Sequence, residues 1–125
     1  MKYKNLNIAF LIEVFVGFGC IISISLLGSK GLASLALMAL RPVFLEREII
    51  KNEKHYWQFS YKIILNSVVV ISLMIISILV IIQLIPQCQA KLPSFQILLI
   101  EVIPFFLLTH GVIGLINLSL FDKTK

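Results

Sequence analysis

The sequence predicts an all-helical protein that crosses a lipid bilayer several times, and three observations carry that expectation. Apolar residues make up 59% of the chain and charged residues 14%, with a mean hydropathy of +1.02. Soluble domains run about 45–50% apolar and about 25% charged. The apolar residues also lie in runs of the length a spanning helix needs, about 20 residues for a hydrocarbon core of about 30 Å. Finally, the polar residues gather into one island, EREIIKNEKHYWQFSYK over 46–62. It holds three of the six acidic residues, four of the eleven Lys and Arg and the only Trp, and so marks a membrane surface.

The first span is expected over residues 6–27. Lys2 and Lys4 give it a basic start like that of a secretory signal. Its apolar run exceeds the 7–15 residues of such a signal and carries Glu13, so it is expected to be retained. Glu13 lies about 10 Å below the membrane boundary at about 1.5 Å per residue. Glu13, Gly17 and Cys20 follow an i, i+4, i+7 spacing, which places the acid and two small residues on one helix face. Small residues let helices approach closely, so that face is expected against protein rather than lipid.

Gly28, Ser29, Lys30 and Gly31 read as a turn. The following run, LASLALMALRPVFL over 32–45, is short for a span. An interfacial helix would show a polar face, whereas residues 32–40 offer only Ser34. A second span over 31–49 is therefore expected, with Arg41 snorkelling toward the headgroups and Pro42 bending the helix. The alternative is three spans plus a short re-entrant or interfacial helix.

Within the island, Lys51 and Asn52 suit a helix end. Tyr56, Trp57, Phe59 and Tyr61 are expected as interfacial anchors, because an aromatic ring with a polar tip suits the boundary between lipid and water. The third span, 63–85, carries no charge. Its Asn66 and Ser77 are expected to face the bundle interior. A loop bounded by Pro86 and Pro93 leads to the fourth span, 95–121, which contains Glu101, Pro104, His110 and Asn117. His110, Gly114 and Asn117 share one face, nearly opposite Glu101.

The expected architecture is thus one integral membrane domain over 1–125, with four transmembrane helices arranged as two helical hairpins. Orientation follows the excess of Lys and Arg on the cytoplasmic side. Eight of these residues (Lys2, Lys4, Arg47, Lys51, Lys54, Lys62, Lys123 and Lys125) fall on one side, and Lys30 and Lys91 on the other. Both termini are then cytoplasmic, in a multi-pass protein of the cell membrane.

The net charge of +5 sits at the ends of apolar runs, where it suits anionic headgroups rather than nucleic acid. Cys20 and Cys88 form no disulfide framework and no metal-ligand spacing. The two His residues lie on different elements, and the spacings of zinc proteases, serine hydrolases and phosphate-binding loops are absent. No enzyme activity, cofactor or metal is expected. The polar candidates within the spans are Glu13, Arg41, Asn66, Glu101, His110 and Asn117. A charge near mid-membrane costs about 2.5–3.5 kcal/mol and needs a partner, and Arg41 descends to a depth comparable with Glu13. An ion pair between them inside the first hairpin is expected.

Ile12, Glu13 and Val14, together with GVIGLINL over 111–118, resemble the small multidrug resistance transporters. The resemblance implies a dimer in which Glu13 is a shared proton and substrate site. It covers less than a tenth of the chain, and the charged island, Glu101 and Arg41 depart from that family's pattern. The leading expectation is a non-catalytic accessory or structural subunit. Its basic aromatic hairpin would meet lipid headgroups or a partner, and the chain would act as a homo-oligomer or within a larger membrane complex.

Overall fold

The structure, a computed structural model, describes residues 4–123, without the side chains of 47–52 and 122–123. Lys2, Lys125 and the side chains of Arg47, Lys51 and Lys123, all used above for orientation, lie outside the described residues. Among the described residues there are three α-helices: α1 (Lys4–Leu27), α2 (Arg41–Leu84) and α3 (Phe95–Lys123). A 3₁₀ run, Gly28–Leu40, joins α1 to α2, and a shorter one, Pro86–Lys91, lies between α2 and α3. No strand occurs among the described residues. Three helical stretches are long and apolar enough to cross a membrane: Lys4–Glu46, Glu53–Leu84 and Phe95–Phe121.

The first of these stretches contains a reversal. Gly28 adopts a φ of 63°, open to glycine at no steric cost, and turns the chain. Gly31 then packs on the backbone of Ser23 and Ile24, where a Cβ would collide with main-chain atoms. The buried Cys20 thiol donates to the Gly31 carbonyl at 3.8 Å, and Arg41 pairs with Glu13. The 3₁₀ run therefore lies back along α1.

Two expectations are corrected here. Residues 32–40 are 3₁₀ rather than α-helix, and α2 begins at Arg41 with Pro42 in its first turn. There the missing N–H of proline has no intrahelical partner to lose, so Pro42 starts a helix instead of bending one. Second, Lys51 and Asn52 do not end a helix; the helical assignment continues through them to Leu84. Neither Gly nor Pro stands at that point, and Glu, Lys and Arg are good helix formers.

α1 buries a single stripe: Leu6, Ala9, Phe10, Glu13, Val16, Gly17, Cys20 and Ile24, recurring every three or four residues. This stripe faces α3, which runs antiparallel to it. A Cβ at Gly17 would sit 2.9 Å from Leu108 N and 3.0 Å from the Pro104 carbonyl oxygen. One at Gly111 would sit 2.8 Å from Val14 Cγ2, and one at Gly114 would run into the Phe10 ring. Absent side chains thus set the spacing of the two helices. Where α1 begins and α3 ends, Leu6, Ala9, Phe10, Leu45, Ile63 and Leu118 form the apolar core.

Most of the remaining apolar surface is bare. Along α2 beyond Ile63, Leu65, Val69, Leu73, Ile76 and Leu79 are all exposed. Exposed hydroxyls on these surfaces turn inward to their own helices. Ser25, Ser72, Ser77 and Thr109 each donate to the carbonyl four residues back, at 2.8–2.9 Å. Ser77 therefore does not face the interior as expected; the buried hydroxyl of α2 is Ser67, bonded to the Ile63 carbonyl at 2.7 Å.

Candidate functional site

The site is built on the glycine seam between α1 and α3. Glu13 sits mid-stripe on α1 and is 1% exposed. The fold-back of the 3₁₀ run delivers Arg41, at the start of α2, to Oε1 of this carboxylate. Arg41 Nε is buried and makes this contact as a charge pair without an aligned N–H···O bond. The other oxygen, Oε2, lies 2.5 Å from Nδ1 of His110 on α3. An ionised carboxylate only accepts, so the ring nitrogen facing it carries the hydrogen. Gly111, next to His110, removes the side chain that would otherwise hold α1 and α3 apart at this level.

Aromatic rings close the site on both sides of the imidazole. Phe106 stacks on His110 at 5.9 Å between centroids, and Phe10 meets it at 5.8 Å with a tilt of 55°. The carboxylate therefore lies between one permanent cation and one hydrogen-bonded imidazole, behind apolar rings. Among the described residues no group of three His, Cys, Asp or Glu is placed to hold a metal ion.

The remaining candidates lie elsewhere. Asn117, half-buried, donates its Nδ2 to the Ile113 carbonyl of its own helix at 2.8 Å instead of joining His110. Asn66 and Glu101 are half-buried, and no side-chain hydrogen bond or ion pair joins either to another described residue. The four aromatic anchors divide into two kinds. Tyr56 and Phe59 pack against the core, Phe59 reaching Phe10 and Phe121 at 6.4 Å each. Trp57 and Tyr61 are exposed, as are Lys54 and Lys62 of the same segment.

The contact between Glu13 and His110 was not expected from sequence. Glu13 with Gly17 and Cys20, and His110 with Gly114 and Asn117, follow the same i, i+4, i+7 spacing, and that shared spacing is the signal that the two faces match. No family model, curated protein or solved structure matches this chain.

Proposed function

We propose that the chain is a non-catalytic integral membrane subunit that crosses the cell membrane four times with both termini cytoplasmic, and in which Glu13 is a structural clamp. One observation carries this reading: both oxygens of a carboxylate that is 1% exposed are occupied, by Arg41 and by His110. A cationic substrate would have to displace Arg41 to reach this carboxylate, which is enclosed by protein.

Two features support the four crossings. Gly28–Leu40, at about 2.0 Å per residue, extends about 26 Å as a 3₁₀ helix, close to the hydrocarbon thickness that an α-helix of this length would miss. In addition, Arg41 and Phe59 both return to α1, at Glu13 and Phe10, less than one turn apart. A straight helix would carry Phe59 about 27 Å beyond Arg41, so this favours a bend inside the polar island. The exposed set of Lys54, Trp57, Tyr61 and Lys62 would then face cytoplasmic headgroups or a partner subunit.

The alternative, a proton-coupled transporter of the small multidrug resistance type, draws on the imidazole 2.5 Å from the same carboxylate. One pair of variants separates the two. In the structural reading Glu13→Gln leaves proton-driven flux in reconstituted vesicles unchanged. Glu13→Arg or Arg41→Glu alone lowers accumulation in the membrane, and the charge-exchanged double variant restores it. Proton-driven uptake that vanishes in Glu13→Gln would overturn the clamp and favour transport.

A further inference from the structure

Glu101, like Glu13, is a carboxylate within an apolar helical stretch, but it is less buried and unpaired among the described residues. It lies about 9 Å inside an apolar stretch that begins at Phe95, at about 1.5 Å per residue. It is half-buried, yet no cation or hydrogen-bond donor among the described residues meets it. A carboxylate at such depth without a partner is costly, and lipid tails offer it no counter-charge.

The packing fixes which cation lies at its level. Gly17 backs onto Pro104 and Leu108, and Gly111 onto Phe10 and Val14. The same antiparallel register carried along α3 sets Glu101 opposite about Ile22 of α1. Gly31 backs onto Ser23 and Ile24, so its neighbour Lys30 stands beside about Ile24 or Ser25. The two charges therefore differ in depth by about 4 Å, within the reach of lysine's four-carbon stem. Lys30 is exposed and makes no ion pair with another described residue. Lys91, the other cation at this end, lies in the connection before α3 and nearer the boundary.

Copies of one membrane protein inserted with the same topology are related by an axis along the bilayer normal, so every residue keeps its depth in each copy. A cation and an anion at equal depth on different elements can then meet across the interface, twice in a two-fold dimer. On the helix face that carries Glu101, Phe105 is exposed and Ile97 and Leu98 are apolar and half-buried, as such an interface requires. We propose that the chain forms a homodimer in which Glu101 of each copy pairs with Lys30 of the other. This rests on the membrane reading above and not on the role of Glu13.

Two copies with different tags, one carrying Lys30→Cys and the other Glu101→Cys, both with Cys88→Ser, would be co-expressed and oxidised in native membranes. The expected product is a disulfide-linked species carrying both tags, with none formed when Glu101→Cys is replaced by Leu120→Cys at the far end of α3. By light scattering in detergent, Glu101→Gln should weaken dimerisation about tenfold, about 1.4 kcal/mol, and the exchanged Glu101→Lys, Lys30→Glu chain should restore it. A monomeric unmodified chain, a dimer indifferent to Glu101→Gln, or a Lys30–Glu101 cross-link confined to single copies overturns the proposal. A failure of the membrane reading would show separately, as protein lost from the membrane fraction before oxidation.

Discussion

α1 and the part of α2 beyond Ile63 are both built mainly from Ile, Leu, Val and Phe, and both are long enough to span, yet their surroundings differ completely. α1 is enclosed along a stripe of eight buried residues, whereas beyond Ile63 only Ser67 of α2 is buried. The difference lies in the residues that interrupt the apolar run. α1 contributes Glu13 and Gly17 to the seam, α3 answers with His110, Gly111 and Gly114, and Cys20 meets Gly31 of the 3₁₀ run. The bare part of α2 has no glycine, and its exposed serines are satisfied by their own helix. In a bilayer, lipid is as apolar as leucine, so hydrophobicity alone drives no helix to choose a neighbour. Polar and absent side chains make the choice.

Five variants test this contrast, taken as thermal stability in detergent. Glu13→Ala should do the most damage, about 3–4 kcal/mol, because it leaves the buried Nε of the partly exposed Arg41 and the buried His110 without the carboxylate they share. His110→Leu should cost about 1.5–3 kcal/mol, the range for a hydrogen bond to a charged group. Gly17→Ala should cost about 1–3 kcal/mol by driving a methyl into the α3 backbone. Its neighbour Gly19 has open space around it, so Gly19→Ala should lose nothing and gain up to about 1 kcal/mol of helix stability. Equal losses at the two glycines would dissolve the distinction between seam and bare face. The smallest effect is expected on α2, where Leu79→Val should stay within about 0.5 kcal/mol.

The all-helical class, the turn at Gly28 and the proline-bounded loop were legible because each has a local cause: apolar run length, positive φ, the fixed ring of proline. The approach of Arg41 to Glu13 was legible too, since two charges at similar depth within one hairpin have little choice of partner. His110 was assigned a face but not a partner, because nothing local reveals that α1 packs on α3 from across the chain. The 3₁₀ form of residues 28–40 left no mark either, as an apolar run of Leu and Ala suits both helix types. The aromatic belt was too uniform an expectation. Tyr56 and Phe59 face the core because α2 presents alternate sides of the same segment to protein and to the outside.

The narrow winding of Gly28–Leu40 also acts as a ruler. Between Gly31 and Arg41 a 3₁₀ helix advances about 5 Å farther than an α-helix, nearly one α-helical turn. Rewound as α-helix, the same ten steps would make about 2.8 turns instead of about 3.3, so Arg41 would leave the run on the side away from Glu13. The winding of residues 31–40, none of them charged, thereby decides whether a buried charge is neutralised. Lengthening or shortening that stretch by a residue is an electrostatic change, made without touching any ionisable group.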